Sequence, residues 1–417
     1  MLAAQCWFVI FLNAQKALPQ VLATPLRDDL GIPFRVTLPT AGMAMLIGGL
    51  VTPFGPFLTR AVGVKITMVL CALNIACTVV LTTMATEDWH IIFLWSQCGI
   101  AQGVGSSAPR ESIAASFETG LFTANAMVLA SEATGVLIFL PPLVYITDTL
   151  GWRMAMYYLG VFGITSTLVL AAFIFDHPSQ IGIRPYGAKD EFVQLQQPPK
   201  REKVSLSFIC EYLNDSLIIP AAHSSYWVLI ITFSACGFAS YGIFQVHFIP
   251  LAEELGMPRL TAAGLIATLG VADVFGTLAS GLITDKLAER HVKYLLAVVY
   301  LVRGAFLLLL PSTIGPELYW FTVMLIIGIG LDYVASAPPT FALTYQVFGK
   351  ERGPAATSWF SAGHAFGAAA SATAGTFAEA SDAYVPYLVG VGVIIIAAAV
   401  LALSMKTTRI SFSLDIV

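Results

Sequence analysis

The 417-residue chain is 57% hydrophobic and only 11% charged, with a formal net charge of −4 and a mean hydropathy of +0.80. A soluble domain of this length has no interior large enough for that much apolar surface, so most of the chain must face lipid. The mild acidic balance, with no basic or acidic tail, excludes a nucleic-acid partner, and six cysteines in apolar stretches without a C-x-x-C read as small buried hydrophobes.

A bilayer core needs about 20 apolar residues per helix, and that ruler predicts an all-α membrane protein of twelve spans. In the first half they cover roughly 3–25, 36–58, 64–84, 90–112, 121–146 and 153–175. The first lacks a basic leader and a cleavage site, so it reads as a retained span. Residues 177–222 change character: Lys189-Asp-Glu191, Gln194 to Gln197, Pro198-Pro199 and Lys200-Arg-Glu-Lys203 have linker composition. The apolar residues of 204–218 predict a short helix lying on the membrane surface. Six more spans follow at roughly 224–250, 260–284, 292–311, 317–344, 354–377 and 385–405. The division is therefore a bundle over 1–176, a linker over 177–222 and a second bundle over 223–417.

The halves repeat one another. Gln20 to Pro33, with its Pro25-Leu-x-acid-acid-Leu-Gly31-x-Pro33 exit, is rewritten as Gln245 to Pro258 at a constant offset of 225. Gly55-x-x-x-Thr59-Arg60 matches Gly281-x-x-x-Asp285-Lys286, Ser107-Ala-Pro109 matches Ser336-Ala-Pro338, and Glu132-x-x-Gly135 matches His364-x-x-Gly367. Two similar bundles in a membrane imply a solute site between them. Lys and Arg in the loops and at the span ends divide fourteen to four in favour of the face holding both termini and the linker, which makes that face cytoplasmic. The Asn214-Asp-Ser216 sequon falls on that inner face and is discounted.

Two six-helix halves joined by an inner linker resemble the major facilitator superfamily. Gly281-Leu-Ile-Thr-Asp285-Lys286 is similar to its Gly-x-x-x-Asp-Arg loop signature. Gly151-Trp152-Arg153, the Pro178 to Gly187 stretch, His247-Phe-Ile-Pro250-Leu251, Tyr300-Leu-Val-Arg303-Gly304 and Pro338 to Gly349 resemble the monocarboxylate-transporter-like branch. The chain departs from the pattern at Thr59, where the signature has Asp, and at Phe117-Glu-Thr-Gly120, where a basic cluster is expected before span five. Thr277 stands four residues after Asp273, where animal monocarboxylate carriers pair Asp with Arg.

A charge at bilayer depth costs at least about 2.5–3.5 kcal/mol, so each one is a functional candidate. Lys16, about 20 Å along a helix that the resemblance places against the central cavity, either binds a carboxylate or snorkels to the surface. Its counterpart at the repeat offset is Tyr241, so a cation and a phenol would face each other across the halves and suit a small carboxylate. Asn13, Gln20 and Gln245 join them as substrate-site candidates, Gln20 and Gln245 serving either as gates or as packing. Arg303 contacts substrate or pairs with an acid such as Asp332. For proton coupling the candidates are Asp332, Glu132, His364 and Asp273, each with a structural hydrogen-bonding role as the alternative. Gly281, Asp285 and Lys286 would form the conformational loop. His247 reads as interfacial, and Arg110-Glu111 as a solvated pair at the inner end of span four.

No G-x-x-x-x-G-K-[ST], G-x-S-x-G, H-E-x-x-H or metal-ligand cluster occurs, so neither an enzyme nor a bound cofactor is expected. The expected protein is a plasma-membrane secondary transporter working by alternating access, its partners being a small organic anion, a proton or other coupling ion, and lipid. An exporter or exchanger of other small organics, or a non-transporting sensor, are the alternatives.

Overall fold

The computed structural model describes residues 2–32, 34–188, 205–248, 251–252, 255–314, 317–381 and 383–408. The Lys189 to Lys203 run, Pro33, Pro250 and the Glu253-Glu254 pair of the second repeat copy lie outside the described residues. Helix dominates; the only extended pairing among the described residues is a single bridge between Phe117 and Tyr186. With no water in the bilayer core, backbone groups must bond within their own segment, which is why each apolar stretch is a helix.

Twelve spans cross in two bundles of six. Nine described helices are long and apolar enough to cross a membrane on length and composition alone. The other three spans carry interruptions or small residues that lower their hydropathy. Span one is Leu2–Ala14, a tight 3₁₀ turn at Gln15–Ala17, and Leu18–Leu30. Span four breaks between Asp88–Gly105 and Ala108–Ser116, next to Pro109, and span ten breaks between Tyr319–Asp332 and Ala337, next to Pro338. Span eleven is the second part of the Ala337–Ala380 helix, divided from span ten at Gly349, whose φ of 80° ends the first part. The matched Ser-Ala-Pro motifs thus mark matched breaks.

The repeated exits explain their glycines. Gly31 (φ 68°) and Gly256 (φ 84°) both take the left-handed conformation that closes a helix, and Ile32 N–H bonds back to the Leu26 carbonyl at 3.2 Å. On the same face Asp29 accepts the Trp152 indole N–H at 3.0 Å and a short bond from Arg153, which also reaches the Thr83 carbonyl. The Trp152 and Arg153 hydrogen bonds hold the Asp29 carboxyl below its ordinary value. The clamp is therefore complete above about pH 4 and is lost as pH falls through that lowered value.

On the opposite, linker face, the surface helix Leu206–Leu213 continues through a π turn at Asn214–Ile218. Tyr212 donates a short hydrogen bond to the Pro53 carbonyl of span two, and Phe208 stacks on Phe57 at 4.9 Å. Asp215 pairs with Arg352 of span eleven at 3.2 Å, and Trp359 donates to Ser216. The helix is thus stapled to both halves.

The apolar core is in two parts. One gathers Phe8, Leu12, Met68, Ile75 and Met156; the other gathers Tyr226, Phe248, Tyr300, Ile326 and Leu388. The halves meet along spans five and eight and spans two and eleven. Small residues set the separation of neighbouring helices: a Cβ on Gly237 of span seven would stand 1.9 Å from the His364 carbonyl oxygen of span eleven, and one on Gly367 would stand 2.0 Å from that of Ser234. Across the halves, a Cβ on Gly281 would lie 2.4 Å from that of Ala126. Asp285 accepts the backbone N–H of Phe122 at 3.2 Å and of Thr123 at 2.7 Å, capping the N-terminus of span five from the other half.

Gly237→Leu is expected to abolish the monodisperse peak in detergent size-exclusion chromatography, because backbone is in the way. Gly264→Leu, with nothing within 4 Å of its would-be Cβ, is expected to behave as the parent protein. Asp285→Ala should lower stability by about 0.5–2 kcal/mol, as loss of an N-cap does, read as a fall in the thermal midpoint that Asp285→Asn partly restores.

Candidate functional site

Lys16 sits on the 3₁₀ turn that interrupts span one, where the tightened backbone turns its side chain toward the seam between the halves. Its Nζ lies 3.3 Å from Glu132 Oε2 of span five, and 4.5 Å from the centre of the Tyr241 ring of span seven. The Tyr241 hydroxyl donates to the same Glu132 Oε2 at 3.4 Å. One carboxylate oxygen therefore takes an ammonium from its own half and a phenol from the other. The Lys16 and Glu132 side chains keep 11% and 22% of their exposure, so the pair is desolvated yet reachable.

Two cavities are lined by all three residues of this cluster. The larger, about 130 Å³, extends toward the linker face and adds Gln102, Ser106, Arg110, Ser361 and His364 to its lining. The smaller, about 90 Å³, extends toward the opposite face and adds Gln245, Gly270, Asp273 and Tyr333. Lys16, Glu132 and Tyr241 line both. The cluster is thus a septum between two chambers, each bounded by both halves.

A polar chain fixes the span-one side of the septum. Gln15 Nε2 donates to Gln102 Oε1 at 2.8 Å, and Gln102 Nε2 donates to Asn13 Oδ1 at 3.0 Å. Asn13 is 2% exposed and anchors itself to the Val9 carbonyl, so it orients Gln102 without facing the larger cavity. His364 packs its ring against Phe233 and Tyr241, with centroids 4.8 and 5.3 Å away.

Of the remaining residues singled out in the sequence, Gln245 and Asp273 line only the smaller cavity and the others lie away from the cluster. Arg303 is 1% exposed inside the second half and lines neither cavity: it bonds the Asp332 carboxylate at 3.2 Å, the Asp332 carbonyl, Cys236 Sγ at 2.9 Å and Ser240 Oγ at 3.1 Å. Span nine points its one guanidinium inward, away from lipid, and spans seven and ten supply its partners; Asp332 is occupied by that pair. Asp273 is 1% exposed and accepts from Thr277 Oγ1 at 2.8 Å and Val334 N–H at 3.1 Å, and among the described residues its second oxygen has no hydrogen-bond partner. Gln245 lines the smaller cavity, while the side chain of Gln20 lies outside the described residues. Gly281 and Asp285 join the halves at the linker face, and Lys286 is exposed there.

Two expectations are corrected. His247 is buried at 1% exposure, its Nε2 2.7 Å from the Ala372 carbonyl, because the π turn at Ile243–His247 rotates it into the bundle. Arg110 and Glu111 do not pair: Arg110 donates to Ser361 of the other half at 2.7 Å and faces the larger cavity, whereas Glu111 accepts a short bond from Thr59. Adjacent residues on a helix diverge by about 100°, so one faces the seam and the other faces span two. The break in span four, marked in the sequence by Ser107-Ala-Pro109, is the signal that could have separated them.

Comparison with known proteins agrees with this architecture. Residues 6–372 match the family model described as Major Facilitator Superfamily. Monocarboxylate transporter 12 of Xenopus laevis is 24% identical over 266 residues, a match that covers 60% of this chain and 55% of that relative. The chain therefore aligns with little more than half the length of that curated relative. The crystal structure of the E. coli fucose:proton symporter FucP superposes with a TM-score of 0.68 at 15% identity, covering 98% of both chains. With a family model spanning most of its length and the twelve-helix fold in place, the chain belongs to the Major Facilitator Superfamily and is a multi-pass membrane protein.

Proposed function

We propose that the protein is a secondary transporter that carries a small organic anion by alternating access, coupled to proton movement. The observation that supports this reading is the shared carboxylate of Glu132, held by Lys16 from one half and Tyr241 from the other at the septum between the two cavities. A substrate carboxylate entering either chamber competes with Glu132 for the Lys16 ammonium. A proton on Glu132 removes the internal competitor, so proton and anion favour each other's binding through one ion pair. Tyr241, freed from Glu132, can donate to the incoming anion, which ties the occupancy of the first half to the position of the second. A monocarboxylate is the minimal ligand on this scheme, in keeping with the name of the Xenopus relative.

The surroundings of the two buried pairs favour one of them as the transport site. The Arg303–Asp332 pair lines neither of the two cavities and suits a scaffold role; the Lys16–Glu132 pair lines both and suits transport. We read residues 1–176 and 223–417 as the rocking bodies and 177–222 as a cytoplasmic linker, with both termini cytoplasmic and the plasma membrane as the site of action.

Lys16→Ala is expected to cut anion uptake into proteoliposomes at least tenfold, since a charge-assisted hydrogen bond is worth about 1.5–3 kcal/mol, with the elution profile unchanged. Normal uptake by that variant would refute the anion site. Glu132→Gln should leave exchange of labelled for unlabelled anion but remove accumulation driven by an inward pH gradient. Arg303→Ala should instead fail as a folded protein, because leaving Asp332 alone costs about 3–5 kcal/mol; a well-folded, transport-dead Arg303→Ala would move the site to that pair.

A further inference from the structure

Arg110 is the charge that this scheme leaves unused. It lies in the Ala108–Ser116 segment of span four, beyond the break that follows Gly105, and so further toward the linker face than Gln102. Gln102 belongs to the polar chain beside Lys16, so Lys16 and Arg110 stand at two levels of the same cavity. Arg110 Nη1 donates to Ser361, and the guanidinium rests 5.3 Å from the centre of the Phe341 ring. Among the described residues no carboxylate pairs with it, and Glu111 beside it is engaged by Thr59. A membrane-embedded guanidinium held by a hydroxyl and an aromatic ring, with donors left over, is a site for an anionic group.

The charges around the larger cavity can be set out span by span. Span one contributes Lys16, span four Arg110, span five Glu132, span seven the neutral Tyr241 phenol and span eleven His364. The lining residues from spans two and ten, such as Thr52 and Phe341, carry no charge, and Asp273 of span eight faces the other cavity. With Glu132 ionised and His364 neutral, two cations face one anion. With Glu132 protonated, two cations face none, and they sit at separate levels.

We propose that Arg110 is a second anion anchor, so that the preferred substrate is a small dicarboxylate with one carboxylate on Lys16 and the other on Arg110. This rests on the anion-transport reading given above and narrows its substrate class. Monocarboxylates bind as the weaker ligands, using Lys16 alone. Ser361, which belongs to the second half, is displaced from Arg110 or shares it with the ligand, and the far carboxylate thereby becomes a contact point between the halves.

The test uses the full-length protein in proteoliposomes with an inward pH gradient, supplied with lactate or with unbranched dicarboxylates of three to six carbons. Expected is faster uptake of at least one dicarboxylate than of lactate at equal concentration. Arg110→Gln should cut that dicarboxylate flux at least tenfold and leave lactate flux within twofold, while Arg110→Lys keeps dicarboxylate flux with a raised KM. Lactate uptake that exceeds every dicarboxylate and is indifferent to Arg110→Gln overturns the dicarboxylate assignment and leaves anion transport standing. Absence of any carboxylate flux in the parent protein overturns both. Because Arg110→Gln could lose its fold, its size-exclusion profile is read first; if it fails, Arg110→Lys and Ser361→Ala carry the test, and a dicarboxylate-to-lactate ratio unmoved in both overturns the assignment.

Discussion

A cation inside a bilayer has to be neutralised, and the architecture follows from where that neutralisation happens. Lys16 and Arg303 are both deep, and each has a carboxylate at about the same distance, 3.3 and 3.2 Å. What separates them is surroundings. Arg303 is wrapped by Cys236, Ser240 and Asp332, and exchanging that acid for a solute would leave a charge in a packed core. Lys16 and Glu132 meet at the edge of empty space, where another anion can take the acid's place. On the proposed scheme a buried pair in a tight core serves as scaffold, and the same chemistry at a cavity wall serves as a switch.

Such a switch acts only if the two bodies can shift as units. Within a bundle, glycines such as Gly237 and Gly367 bring spans seven and eleven to backbone contact, and lipid offers no hydrophobic gain for separating or joining them. Between bundles, apolar packing of span two on span eleven and of span five on span eight, as at Gly49 against Phe366 and Gly270 against Leu137, is joined by polar contacts: Asp285 on the start of span five, Arg110 on Ser361, and Tyr241 on Glu132. In the proposed scheme these polar contacts are the ones that break and re-form as the bundles rock.

Much of this was legible in the chain. Apolar runs about 20 residues long give spans directly, and the repeated Pro-Leu-x-acid-acid-Leu-Gly exit identified two halves because left-handed helix ends require glycine at Gly31 and Gly256. Symmetry matching singled out Lys16 with Tyr241 and Glu132 with His364, and all four line the larger cavity. The Arg303–Asp332 pair was among the readings the chain offered, but the partner of Lys16 was not. The Lys16–Glu132 bond joins spans one and five within a half, across the symmetry relation, and depends on the rotation of each helix. A span apolar on every side carries no moment from which that rotation can be inferred. Arg110 escaped for the same reason: its depth beyond the break in span four is set by tertiary packing. Asp285 was expected in a conformational loop, but its role as a cap on the other half's helix needs the fold.

The surface helix at Leu206–Leu213 has a consequence for how the protein is put together. It is held to span two through Tyr212 and Phe208, and to span eleven through Asp215 and Ser216, so its grip on both bundles does not pass through the peptide chain that precedes it. A nick between residues 188 and 205 would leave this clasp entirely on the second fragment, still reaching over to the first. The halves are therefore joined twice, once along the peptide chain and once through the side chains of this clasp.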